Sequence, residues 1–135
     1  METSFHTSVR LKTAAVAGLT AIATLASSVP AHAEGSRATY IRGWQWGQES
    51  GRWRDNHNDA VSTRVAFETC SADTTTFSAP LVLYRVRPAL PDVGHGTRIN
   101  TCNVSNWGTM TTAGDYYFAY TGTRIISVND VGIYW

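Results

Sequence analysis

Apolar and polar residues alternate with a period of two along several short stretches of this chain. In segment 61–68, Val61, Val65 and Phe67 share one side with Thr63, and segment 81–87 alternates in the same way. Such alternation is typical of strands with one buried face. After residue 34 we find no convincing stretch with the 3.6-residue period of an amphipathic helix. The pattern predicts an all-β domain.

Eight segments qualify as strands because they are rich in β-branched and aromatic residues and are separated by turn residues. They are 39–46, 61–68, 81–87, 97–104, 109–112, 116–121, 123–128 and 131–135. Seven or eight short strands with short turns predict a small antiparallel β-sandwich, and a closed β-barrel is the alternative. Segment 47–58 is the one long irregular stretch, and a loop of that length is usually functional or disordered.

The first 33 residues have the three parts of a secretory signal. Arg10 and Lys12 form a basic start, segment 13–26 is uncharged and apolar, and Ala31 and Ala33 flank His32 in a small-x-small pattern. The apolar run is shorter than the roughly 20 residues that span a bilayer, so we expect no permanent membrane anchor. We predict cleavage before Glu34, which leaves residues 34–135 as a single secreted, extracellular domain.

Cleavage there makes the charge of the domain nearly neutral. Without Arg10, Lys12 and Glu2, the 11 basic and 10 acidic residues become nine Arg and nine acids, interspersed along the chain. A nucleic-acid partner normally needs a clustered basic excess, which this pattern lacks. We therefore expect no nucleic acid among the partners.

Cys70 and Cys102 are the only two cysteines, and both belong to the predicted extracellular part. An even number of cysteines in an oxidising compartment favours pairing. We predict one disulfide between them, which would stabilise the domain by roughly 3–4 kcal/mol on the chain-entropy estimate.

The order of Cys70, the aliphatic segment 81–84, Cys102 and the AGDYYFAY segment 113–120 resembles a known family. These features are similar to the small β-sandwich modules appended to secreted bacterial peptidases, the pre-peptidase C-terminal type. The resemblance implies a sandwich fold. It transfers no functional residue to this chain.

The acidic segment 55–59 does not match a calcium-binding loop. Counted from Asp55, an EF-hand would need a glycine where Ala60 stands and a glutamate where Ala66 stands. A looser site at Asp55, His57 and Asp59 stays open, but such a run more often forms a solvated turn. No nucleophile elbow or H-E-x-x-H motif is present, so we expect no cofactor and no enzyme.

Tryptophan is abundant and suggests binding. In a regular strand Arg42, Trp44 and Trp46 would point to the same face. Trp53 stands between Arg52 and Arg54 in the long loop. An exposed indole beside guanidinium donors suits a sugar ring or a protein pocket. The predicted binding residues are Trp44, Trp46, Arg52, Trp53, Arg54 and Trp107.

The leading hypothesis is therefore a secreted, non-catalytic binding module for carbohydrate or cell-wall polymer. A protein–protein effector, meaning an enzyme inhibitor or a small antibacterial toxin, is the alternative. Segment 52–54 is distantly similar to the exposed Trp-Arg-Tyr triplet of small secreted α-amylase inhibitors. A passive component of the cell envelope is the third reading.

Overall fold

The computed structural model describes residues 34–135, which form two four-stranded antiparallel sheets packed face to face. The strands are β1 (Ser36–Trp44), β2 (Trp53–Asp55), β3 (Thr63–Ala72), β4 (Ala79–Arg85), β5 (Val93–Asn100), β6 (Val104–Gly108), β7 (Gly114–Tyr120) and β8 (Ile126–Tyr134). Sheet A has the order β1-β8-β3-β6 and sheet B the order β2-β7-β4-β5. The predicted sandwich is confirmed, and the barrel alternative is wrong because the two sheets do not join. The predicted signal peptide lies outside the described residues.

The core fills the space between the sheets with the inward half of each alternating strand. Val65 and Phe67 of β3 face Leu81 and Leu83 of β4, and all four are fully buried. Phe118 of β7 packs against Phe67 with ring centroids 6.2 Å apart. The alternation in segments 61–68 and 81–87 therefore identified the buried faces correctly.

The predicted strand 97–104 is wrong, because the chain reverses in its middle. β5 ends at Asn100, and β6 begins at Val104. The buried Asn100 side chain forms this turn: its Oδ1 accepts hydrogen bonds from the backbone N–H of Cys102 and Asn103, and its Nδ2 donates to Asn103 O and Ser105 Oγ. Asparagine competes with strand pairing in this way, so an apparently continuous strand becomes two strands, one in each sheet, joined by a turn.

Three further boundaries differ from the prediction. Segment 109–112 is not a strand, and segments 123–128 and 131–135 belong to the single strand β8. β8 continues because a bulge at Asn129 and Asp130 absorbs the turn-like residues without breaking the pairing with β1. The segment 47–58 is partly regular, since it contains β2.

The predicted disulfide is confirmed. Cys70 of β3 is bonded to Cys102 in the β5–β6 turn, with Cα atoms 5.8 Å apart. Because β5 lies in sheet B and β6 in sheet A, the bond fastens the point where the chain crosses between sheets. A disulfide is consistent with an oxidising compartment.

Residues 34–135 form no helix long and apolar enough to span a bilayer.

Candidate functional site

The six predicted binding residues do not converge on one surface. Trp53 and Trp107 are buried, at 3% and 8% exposure, so their indoles offer no surface for the predicted binding. Trp53 points inward from β2 and stacks on Trp135, with ring centroids 5.8 Å apart. Trp107 points inward from β6, and its Nε1 donates to Gly96 O. Both indoles fill the core, as large aromatic side chains do in small sandwiches.

Trp44 and Trp46 do not share a face, contrary to the parity prediction. Gly43 has a φ of 59°, and the register between β1 and β8 shifts at this point. A bulge of this kind adds one residue and reverses the alternation that follows it. Trp44 therefore turns inward onto Phe118, at 5.8 Å between ring centroids, while Arg42 stays outside.

Arg52 and Arg54 lie on the outer face of sheet B, where each is already engaged. The Arg52 guanidinium lies over the Tyr117 ring at 5.7 Å, and Arg54 forms an ion pair of 3.5 Å with Asp115. Tyr117 is buried, and its hydroxyl donates to Asp92 at 2.8 Å. The backbone N–H of Arg87 and this hydroxyl bond lower the pKa of Asp92, while burial raises the pKa of Tyr117.

A different surface carries exposed aromatic residues with arginines, and the sequence reasoning missed it. On the outer face of sheet A, Arg42 lies over the Tyr40 ring at 5.1 Å, and Arg64 lies over the Tyr134 ring at 5.2 Å. Tyr40 is 64% exposed and Tyr134 is 36% exposed. Val104 of the edge strand β6 adds an exposed apolar side chain to the same face.

A row of small residues separates the two Tyr–Arg pairs. Ala38 of β1 is directly opposite Gly132 of β8, which is opposite Ala66 of β3. Ala66 is in turn opposite Val104 of β6. We call the depression above Ala38, Gly132 and Ala66 the outer trough. It holds a hollow of about 200 Å³ and continues into a second one beside Val104.

The outer trough crosses the strands, and its two walls differ in chemistry. Four strands at about 4.8 Å spacing give it a length of roughly 14 Å. Tyr134 forms one wall and leans over the floor, since a Cβ added at Gly132 would lie 2.8 Å from its hydroxyl. Glu68 and Asp130, which are cross-strand partners, line the other side of the hollow. The outer trough is therefore lined by one arginine, Arg64, in its second hollow and by two acids in its first.

Within residues 34–135 no group of three or more His, Cys, Asp or Glu side chains is arranged to hold a metal ion. The segment 55–59 instead uses its side chains to close turns. Asp55 Oδ1 accepts from the backbone N–H of His57, and Asp59 Oδ1 accepts from that of Val61. Glu34 accepts from the backbone N–H groups of Asn56 and Asn58.

Several titratable groups are buried at the end of the sandwich that carries Glu34. Burial, with the nearby charge of Glu34, raises the pKa of Asp55. Burial and the nearby Arg85 charge lower the pKa of His95, whose ring lies 5.7 Å from that of Tyr116. These groups pack inside the sandwich, whereas the outer trough is open to solvent.

The residues of the outer trough had a weak signal in the sequence. Segment 64–68 places Arg64, Ala66 and Glu68 on one face by simple alternation. Their partners on β1 and β8 are fixed by strand register, which this alternation does not specify.

No protein-family model matches the chain, and no curated protein or solved structure shows significant similarity to it.

Proposed function

We propose that residues 34–135 form a secreted, non-catalytic module that binds an uncharged polysaccharide in the outer trough. The observation that carries the proposal is the small-residue floor of Ala38, Gly132 and Ala66 lying between Tyr40 and Tyr134. Sugar rings present flat apolar faces and many hydroxyl groups. Aromatic side chains beside hydrogen-bonding groups suit such a ligand.

The dimensions of the outer trough favour an extended ligand. Its length of roughly 14 Å across four strands exceeds that of a single sugar ring. Two adjoining hollows, of about 200 and 340 Å³, follow the same line from Ala38 to Val104. A chain of linked rings fills such a line better than one small molecule does.

The charges around the outer trough favour a neutral ligand. Arg42 and Arg64 are already stacked on tyrosine rings, and Arg42 also donates to Val128 O. Glu68 and Asp130 would repel carboxylate or phosphate groups on a bound polymer. Anionic wall polymers are therefore the less suitable partners.

The open shape supports binding without catalysis. Glycosidases place two carboxyl groups on either side of the scissile bond. Glu68 and Asp130 are both exposed on one face of sheet A. The enzyme-inhibitor hypothesis depended on an exposed triplet at residues 52–54. Its central residue, Trp53, is buried, and only the two arginines point outward.

A depletion assay on insoluble polymers tests the proposal. The purified protein is mixed with cellulose, chitin, xylan or peptidoglycan, and the fraction remaining in solution is measured. We expect retention on at least one uncharged polymer. Ala66→Leu should abolish it by filling the outer trough without removing any contact, and Tyr40→Ala should weaken it about 10-fold.

Ile99→Ala provides the matched control, because Ile99 is an exposed apolar residue on the outer face of sheet B. It should bind like the unmodified protein. No retention on cellulose, chitin or xylan, or undiminished retention of Ala66→Leu, would contradict the proposal. Thermal unfolding of each variant checks that the fold is intact.

A further inference from the structure

Trp46 is the most exposed large apolar side chain in the described part of the chain, at 73%, and the turn that carries it is held firmly. The Gln45 N–H donates to Gln48 Oε1 at 2.6 Å, and the Gln48 N–H donates to Gln45 O at 3.2 Å. The Gly47 N–H donates to Tyr120 O at 2.8 Å. The indole is therefore presented to solvent on a fixed backbone.

The same Tyr120 organises the neighbouring loop, residues 121–125. Its side chain is fully buried, and its hydroxyl donates to Arg124 O at 2.8 Å. Its ring lies directly under Gly122, where an added Cβ would come within 2.4 Å of the hydroxyl. The Thr121 N–H donates to Pro80 O at 3.0 Å. Tyr120 thus contacts both connections, since its backbone carbonyl accepts from the Trp46 turn and its buried hydroxyl donates to this loop.

A hollow of about 340 Å³ opens beside this loop. Its lining combines Pro80 and Gly122 with four residues that carry hydroxyl or guanidinium groups, Ser78, Thr121, Thr123 and Arg124. Arg124 forms no ion pair within residues 34–135, and no acidic side chain lines the hollow. In this described part no cation stacks on Trp46, unlike Tyr40 and Tyr134 on sheet A.

We propose that this end of the sandwich is a second sugar-binding site, which takes a single pyranose ring. The ring would stack on Trp46 while its hydroxyl groups bond to Thr123 and to the planar Arg124 guanidinium. An indole on a fixed turn and donors on a fixed loop lose little freedom on binding. Tyr120 is a positioning residue, because its backbone carbonyl is hydrogen-bonded to the turn and its hydroxyl to the loop.

The site is separate from the outer trough, so the two proposals can fail independently. The outer trough runs across the outer face of sheet A, whereas this site lies where the β1–β2 and β7–β8 connections meet. A module with two sites would hold a polymer surface more firmly than either site alone. A chain end or branch would occupy the second site, since it accepts one ring.

Tryptophan fluorescence tests the second site, because Trp46 is the most exposed of the five indoles, whereas Trp53 and Trp107 are buried and Trp44 and Trp135 are half-buried. The protein is titrated with glucose, galactose, N-acetylglucosamine and glucuronate. We expect a saturable change with at least one of them, with a Kd on the order of 1 mM. Because Trp46→Ala removes the reporter, its binding is measured by ligand-detected NMR and should be about 10-fold weaker.

Matched variants separate this site from the outer trough. Trp46→Phe should retain most of the affinity, Arg124→Gln should weaken it, and Ala66→Leu should leave it unchanged. Leu90→Ala removes an exposed apolar side chain at the opposite end of the sandwich and should have no effect. The inference is overturned if none of the four sugars binds, or if Trp46→Ala and Arg124→Gln bind like the unmodified protein.

Discussion

The indole of Trp135 stacks on that of Trp53, with an interplanar angle of 29°, and thereby joins the end of sheet A to the short edge strand of sheet B. Gly35 permits this contact, because a Cβ at that position would lie 2.3 Å from the Trp135 ring. The backbones of Gly35 and Trp135 also exchange hydrogen bonds of 2.9 and 3.1 Å. The paired residues Gly35 and Trp135 thus help to cover the buried Trp53.

Truncating this buried indole should destabilise the domain far more than truncating an exposed one. Trp53→Ala is expected to lower the free energy of unfolding by about 3–5 kcal/mol, because it opens a cavity next to Trp135. Trp46→Ala should change it by less than about 0.5 kcal/mol, since its side chain is 73% exposed. Urea denaturation of both variants measures the difference, and equal effects would contradict the burial of Trp53.

The side chain of Asn100 should be essential for the turn between β5 and β6. Asn100→Ala is expected to cost about 2–3 kcal/mol, because the buried Asn100 amide is removed and the backbone N–H groups of Cys102 and Asn103 lose their acceptor. Asn129→Ala, at an exposed position in β8, is the control and should stay within about 0.5 kcal/mol. A neutral result for Asn100→Ala in denaturant unfolding would show that the turn does not depend on this amide.

Removing the disulfide should lower stability by an amount set mainly by the unfolded chain. We expect the double variant Cys70→Ser, Cys102→Ser to lose roughly 3–4 kcal/mol relative to the oxidised protein. The unmodified protein should lose a similar amount when a reductant is added. The double variant should not respond to reductant, and any response would point to another effect of the reagent.

His95 should make the domain less stable in mild acid. Burial and Arg85 hold its pKa in the folded state below the ordinary value of 6.5, so the unfolded chain binds the proton first. The contribution of neutral His95 to the free energy of unfolding is therefore fully present above pH 6.5. It is lost as the pH falls from there through the pKa of the folded state. The free energy of unfolding should therefore decrease between about pH 7 and pH 5.

His95→Gln should remove that decrease. Asp55 has the opposite sign, because its raised folded pKa makes acidification stabilising as the pH falls through the folded pKa, so the unmodified protein reports the balance of both groups. Comparing the pH dependence of unfolding in His95→Gln with that of the unmodified protein isolates the His95 contribution. If the free energy of unfolding depended on pH in the same way in both proteins, the His95 contribution would be contradicted.

Much of the fold could be predicted because its signals are local. Alternation identified β3 and β4, and cysteine number identified the Cys70–Cys102 bond. Errors arose where one residue changed the local geometry. Gly43 reverses the direction in which Trp44 points, and the turn at Asn100 divides a predicted strand between the two sheets.

The candidate sites were less predictable, because they consist of residues far apart in sequence. Ala38 and Gly132 meet only through the register of β1 with β8, and the bulge at Asn129 and Asp130 shifts that register. The type of residue alone predicts Trp46 as a binding residue. The partner that we propose for it, Arg124, depends on the contacts of Tyr120 with the two connections.

Sequence patterns alone predict the all-β class, the single disulfide and the inward faces of the central strands, because side-chain periodicity and thiol number need no long-range information. Which tryptophans lie in the core and which face is open depend on how the two sheets pack. Trp53 and Trp46 have the same side chain, but one is covered by Trp135 and the other by nothing within the described residues. Burial depends on what packs against a residue, and the chain brings those partners together only when it folds.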